Sequence, residues 1–223
     1  MARPRRVVEP GGIYHVTTRG NNREQVVSDD RDRALLLAAI NQATRRYGWI
    51  VLAYCLMTNH FHLVVQVPLC GLSEGMRLLN GGFARRMNAR HGRVGHLFQN
   101  RFFANQIKRD AHLLEACRYV VLNPVRAGLC ERPEEWPWSS YRACAGLELA
   151  PPFLAVHALL GLFGTRPRQA RREYRVFVRN GLVPVSGKRN GSVTPDRGGS
   201  EFGELGSRRR SGRVSAWREI LRE

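Results

Sequence analysis

Two histidines stand two apart in MTNHFHLVV, Met57 to Val65, at the head of an otherwise apolar run that reads as a strand. Side chains alternate faces along a strand. His60 and His62 therefore share one face, and Phe61, Leu63 and Val65 share the other. Strand rise puts the two Cα atoms roughly 7 Å apart, so both imidazoles can meet one ion. Burying two unpartnered imidazoles would cost free energy, and a divalent metal satisfies both. Read in isolation, the same HxH also describes a pair of solvated surface histidines.

A second cluster lies in ACRYVVLNPVRAG, where Tyr119 and Asn123 are four apart on a predicted helix. That spacing puts them on one face, one turn from each other. Asn is a poor helix-interior residue and here precedes Pro124, so helix termination also accounts for it. A hydroxyl nucleophile, an amide oxygen and two histidines together make a phosphoryl-transfer site. Two imidazoles and one oxygen leave open positions for a phosphate oxygen and water, which suits Mg²⁺ or Mn²⁺. Glu115 sits one turn before Tyr119 and is either an alternative ligand or a solvated charge.

The elements that must position these residues are legible from periodicity. Ile13 to Thr18 reads as a strand closed by a Gly-Asn turn. Asp29 or Asp30 caps a helix running to about Tyr47, stopped by Gly48. WIVLAYCLM and HFHLVVQV are two strands joined by a turn at Thr58 and Asn59. A helix follows from about Leu72 to Arg90. LFQNRFFANQI reads as a fourth strand. Asp110 then caps a helix that Pro124 stops. The order β-α-β-β-α-β-α predicts an α+β domain, a small antiparallel sheet with helices on one face. PWSSYRACAG reads as a turn-rich connector, and FLAVHALLGLFG and RQARREYRVFVRNG as two further helices. The expected organisation is a basic N-terminal arm over 1–12, a catalytic domain over 13–146, a helical C-terminal extension over 147–184, and a disordered basic tail over 185–223.

Composition narrows the partners. The 223 residues include 36 Lys and Arg against 18 Asp and Glu, a formal net charge of +18. The excess is nearly all arginine, which favours planar contacts to phosphate, and nucleic acid is the usual polyanion for such a chain. The five cysteines, Cys55, Cys70, Cys117, Cys130 and Cys144, form no CxxC, which argues for a reducing cytoplasm rather than a disulfide or zinc scaffold. MARPRRVVEPGG has no apolar core of a secretory signal. No apolar run reaches membrane-spanning length.

Five blocks occur in order: YHVTTRGNNRE, AYCLMTNHFHLVV, GHLFQNRFF, CRYVVLNPVRAGL and WPWSSYRA. Over about Ile13 to Gly146 they resemble the single-tyrosine transposases of the HUH endonuclease superfamily, and among these the REP-associated tyrosine transposases of bacteria. The resemblance implies a ferredoxin-like sheet. It implies that His60, His62 and Asn123 bind the divalent ion and that Tyr119 attacks single-stranded DNA to form a 5′-phosphotyrosine. Phenols ionise near pH ~10 and are weak nucleophiles unless activated. The implied substrate is a hairpin of a repetitive palindrome with a single-stranded flank. Arg101 and Arg126 are candidate auxiliary residues. Arg3, Arg5, Arg6, Arg19, Arg85 and Arg86 are candidates for phosphate contact, and Phe102, Phe103, Trp136 and Trp138 for base stacking. The resemblance calls for no small-molecule cofactor and no membrane. A monomer acting in cis is expected, with a dimer as the alternative. The rival functions are a replication-type nickase of the same superfamily, a hairpin-binding protein without catalysis, and an RNA-binding module. The last stacks bases on sheet aromatics, where this chain carries His60 and His62.

Overall fold

The computed structural model describes residues 8–69, 71–108 and 110–182. Four strands, β1 (Gly12–Arg19), β2 (Ile50–Leu56), β3 (His60–Val67) and β4 (Phe103–Ile107), form one sheet in the order β2-β3-β1-β4. Every pairing is antiparallel. Helices α1 (Asp30–Tyr47) and α2 (Leu72–His91) fill the two crossovers, and α3 (Asp110–Arg126) follows the last strand. This is the α+β arrangement that the element order predicts and the ferredoxin-like topology that the family resemblance implies.

Local chemistry explains the helix ends. The Asp29 carboxylate accepts from the Asp32 backbone N–H at 2.9 Å and caps α1. Gly48 ends it in the left-handed conformation at φ 63°, where a side chain would be strained. The expected cap of α3, Asp110, opens that helix, but its side chain lies outside the described residues.

Register assigns side chains to faces, because directly paired residues of antiparallel strands share one. Thr17, Cys55 and Phe103 fall in one row with His62. His15 pairs with Val64, and Arg19 with His60. The opposite face carries Val16, Thr18, Phe61, Leu63 and Val65. There Phe61 and Phe83 of α2 each sit against Phe98, at ring-centroid distances of 6.3 and 6.2 Å. Asn80 of α2 donates to the Thr18 hydroxyl at 3.3 Å. So α1 and α2 cover the Phe61 face, while α3 lies on the histidine face.

Three local expectations are corrected. The fourth strand begins at Phe103, not at Leu97; Phe98 makes only an isolated bridge with Gly20. Pro124 does not stop α3, which runs on to Arg126 with the proline inside. The Ala127 and Leu129 amides still bond the Asn123 and Pro124 carbonyls, at 2.9 Å each. A proline in the last turn costs one donor without ending the hydrogen-bonded run. The connector from Pro137 to Gly146 is more than turns. The Leu56 amide donates to the Trp138 carbonyl at 2.8 Å and the Ser140 amide to the Tyr54 carbonyl at 2.9 Å. The segment thus covers the outer edge of β2 and leads into α4 (Tyr141–Ala145).

The two further helices are α5 (Val156–Gly161) and α6 (Pro167–Arg179). Cys55, Cys117 and Cys144 are buried and unbonded. Burial pushes the Cys55 and Cys117 thiols far above their ordinary range and the Cys144 thiol up to about 12, which makes them packing groups. Cys70 lies outside the described residues. Among the described residues no helix is long and apolar enough to cross a membrane.

Candidate active site

The site is a row of imidazoles on the sheet with a tyrosine over it. His60 and His62 lie on β3 with ring centroids 4.9 Å apart. A third histidine joins them. His15 of β1 stacks on His62 at 5.2 Å between centroids. The Tyr119 ring on α3 meets His15 at 5.9 Å and His62 at 6.0 Å, edge-on to both. The Arg126 guanidinium lies over the Tyr119 ring, 4.8 Å from its centroid.

Hydrogen bonds orient the two β3 imidazoles. The Asn59 amide nitrogen donates to the Arg23 carbonyl at 3.1 Å. That leaves the Asn59 oxygen facing His60 Nδ1, 2.6 Å away. An amide oxygen only accepts, so His60 Nδ1 carries the proton and Nε2 keeps its lone pair. His62 Nδ1 lies 3.0 Å from His15 Nε2 and 3.1 Å from the Thr17 hydroxyl. The tautomer with the proton on Nδ1 donates to either group and again leaves a lone pair on Nε2. His62 is 5% exposed, and its buried Nε2 has no hydrogen-bond partner. A buried polar atom left this way is costly, and a ligand would satisfy it.

Backbone strain sits behind this arrangement. Asn22 and Arg23 both have positive φ, 50° and 62°, a conformation costing a non-glycine residue roughly 1–2 kcal/mol. The turn is clamped to the β2–β3 turn by Gly20 N–H to the Asn59 carbonyl at 2.8 Å and Val26 N–H to the Thr58 carbonyl at 2.9 Å. The strained Arg23 carbonyl is the group that aims Asn59.

The electrostatics favour neutral imidazoles. Burial lowers the His15 pKa to about 4. Burial, helped by the Arg19 charge, lowers that of His60 to about 4. Burial, followed by the proximity of His60, His15 and Arg19, holds His62 well below its ordinary value. A neutral imidazole is the form that ligates metal.

The other predicted residues separate. Asn123 donates from its amide nitrogen to the Tyr119 carbonyl at 3.3 Å, so its amide oxygen is the atom available to a ligand. Glu115 is ion-paired to Arg118, whose guanidinium lies 4.5 Å over Phe177 of α6. That contact ties Glu115 to the helical extension. Among the described residues no three His, Cys, Asp or Glu side chains gather as a ligand set. Arg19 lies beside His60. Arg101 is exposed and contributes its carbonyl to Asn80. Arg85 and Arg86 are exposed on α2, across the sheet from Tyr119. Arg3, Arg5 and Arg6 lie outside the described residues. Of the candidate stacking rings, Phe103 is 64% exposed, whereas Trp136 donates to the Leu56 carbonyl and Trp138 lies under Arg33. His15, Thr17 and Asn59 carry no motif signal of their own in the sequence. Alternation along YHVTT does put His15 and Thr17 on one face, but only the register reveals that this face is His62's.

The ferredoxin-like sheet thus turns His15 and His62 toward Tyr119 on α3. The chain belongs to the family described as "Transposase IS200 like", whose model matches residues 10–123. It is 27% identical over 169 residues to a Haemophilus influenzae protein named as a REP-associated tyrosine transposase, covering 68% of this chain and 92% of that protein. A REP-associated tyrosine transposase solved bound to a REP hairpin shares the fold, with a TM-score of 0.55, 22% identity, and coverage of 70% of this chain and 92% of the other.

Proposed function

We propose that this chain is a metal-dependent single-stranded DNA endonuclease and strand transferase acting on hairpins of repetitive palindromic DNA. The observation that supports this most is the approach of the Tyr119 ring to His62 within one chain, at 6.0 Å between centroids. The net charge of +18 suits a DNA substrate, and the hairpin is carried over from the relative that binds one.

The residues fit a divalent ion. His60 Nε2, the unpartnered Nε2 of His62 and the Asn123 amide oxygen would hold Mg²⁺ or Mn²⁺. Such an ion, when bound, would supply Lewis-acid polarisation of the scissile phosphate. The chain's own residues do the rest. Asn59 fixes the His60 tautomer, and Thr17 and His15 can accept from the His62 Nδ1–H. The Tyr119 phenol oxygen attacks phosphorus as its proton departs. The new oxygen–phosphorus bond forms while the bond to the 3′-oxygen breaks, and that oxygen leaves as a hydroxyl. One phosphodiester is exchanged for another, so the released 3′-OH can reverse the step without a nucleoside triphosphate. The Arg126 cation over the Tyr119 ring stabilises negative charge that develops on the phenol oxygen as its proton departs. Burial lowers its pKa below the ordinary arginine range, yet it stays charged at neutral pH.

The test is incubation of the protein with hairpin DNA bearing a single-stranded flank, with Mg²⁺ or Mn²⁺, beside Tyr119→Phe. The expected result is a covalent protein–DNA adduct that the Phe variant cannot form although it still binds the hairpin. Hairpin binding without an adduct in the unaltered chain would instead establish a non-catalytic hairpin-binding protein.

A further inference from the structure

Helix α6 carries charge that the active site does not use. Ala170, Tyr174 and Val178 form its buried face. Tyr174 packs against Tyr141 and Phe163, at centroid distances of 5.9 and 5.6 Å. On the outward side stand Arg168, Arg172, Arg175 and Arg179, three of them exposed and Arg175 half-buried. At about 100° per residue, these four fall within about 60° of one another around the axis. None of the four makes an ion pair among the described residues. Glu173, the acidic residue of the helix, lies well off the stripe. A surface helix under no other demand normally alternates its charges or pairs them at i,i+4, and this stripe keeps a single sign along its length.

The dimensions suit a nucleic-acid backbone. From Arg168 to Arg179 the stripe rises about 16.5 Å, with steps of about 6, 4.5 and 6 Å. One DNA strand advances about 3.4 Å of axis per phosphate, so the stripe spans about five phosphates. Its C-terminal end is fixed beside the tyrosine helix. Arg118, the residue before Tyr119, donates to the Phe177 carbonyl at 3.4 Å and lies over the Phe177 ring. A straight, rigid row of cations matches a paired stem better than a flexible flank, and the flank must in any case reach the imidazole face.

We propose that the Arg168–Arg172–Arg175–Arg179 face of α6 is a phosphate track for the duplex stem of the hairpin, which places the adjoining single strand at Tyr119. This rests on the reading of the chain as a hairpin-processing enzyme.

The test uses the full chain with all four arginines changed to Gln, and a second variant with only Arg168→Gln and Arg172→Gln. The dissociation constant is measured across a salt series for a fluorescent hairpin with its flank and for the unpaired flank alone. For the fourfold variant, hairpin affinity should fall by about tenfold or more. The slope of log affinity against log salt should become shallower by about 3 to 4, near 0.9 per lost phosphate contact. The twofold variant should lose about half that slope. Binding of the unpaired flank, and adduct formation on it at saturating DNA, should be unchanged. An unaltered hairpin slope in both variants would overturn the track, as would an equal loss on hairpin and flank. If the unaltered chain forms no Tyr119 adduct while the slope still falls, the catalytic reading fails and the track stands. An adduct with an unaltered slope fails the track alone.

Discussion

The two faces of this sheet are made from alternate residues of the same strands, yet they are built to opposite rules. The Phe61 face is apolar and closed. Phe61, Leu63 and Val65 are fully buried, and the hydroxyl of Thr18 on that side has Asn80 as a partner. The other face buries the His62 imidazole, half-buries those of His15 and His60, leaves a ring nitrogen unpartnered, and is aimed by a carbonyl in a strained turn. One face stabilises the fold and the other spends stability on chemistry. A shift of one residue in register would exchange them.

The comparison breaks most sharply with His62→Ala. Adduct formation should fall to background while hairpin affinity survives and metal-free stability stays within about 1 kcal/mol, because the removed ring carries its own unsatisfied nitrogen. Gel assays, binding titrations and denaturant melts of one preparation check all three. Loss of hairpin binding together with cleavage would sink the assigned role. Its neighbour on the other face should do the reverse. Phe61→Ala should cost about 3–5 kcal/mol of stability, read as a lower denaturation midpoint, with adduct chemistry preserved in whatever fraction stays folded.

An intermediate effect is expected at Asn59. Without its amide oxygen the His60 tautomer is no longer fixed, and Asn59→Ala should weaken Mn²⁺ binding about 10–100-fold with little change in the melt. Calorimetric titration of Mn²⁺ against the DNA-free protein reads this directly. Unchanged affinity would show that His60 holds its tautomer without help.

The histidine face should also make stability depend on pH. The folded-state values for His15 and His60 lie at about 4 against an ordinary 6.5. Between those values the unfolded chain binds more protons than the folded one, so stability rises with pH there. It is fully present above about 6.5 and is lost as pH falls toward 4. Melts of metal-free protein at pH 7 and pH 5 should show the drop, and His15→Gln should reduce it.

The sequence shows the Phe61 face more completely than the histidine face. Periodicity alone places α1, α2 and the central strands, because a closed apolar face writes its pattern into every second or third residue. The HxH pair and Tyr119 are visible as types out of place in apolar runs. The contribution of β1 is not, since His15 and Thr17 acquire meaning only from being paired beside His62. Asn59 reads as an ordinary turn residue until its amide is seen between Arg23 and His60. The end of α3 is misread for a local reason. A proline predicts a stop, but one in the final turn forfeits only a donor, and the helix continues to Arg126.

The smallest expected effect tests whether strain belongs to the site. Arg23 holds φ 62° with an exposed side chain, so its conformation is imposed by the Gly20–Asn59 and Val26–Thr58 clamps rather than by its guanidinium. Glycine adopts that conformation freely. Arg23→Gly should therefore raise stability by up to about 1 kcal/mol and leave Mn²⁺ affinity where it was, because the carbonyl that orients Asn59 remains. A drop in stability would mean that the arginine side chain offsets the strain. A drop in metal affinity at unchanged stability would mean that the stiffness of an L-residue in this turn helps to hold the Asn59 amide.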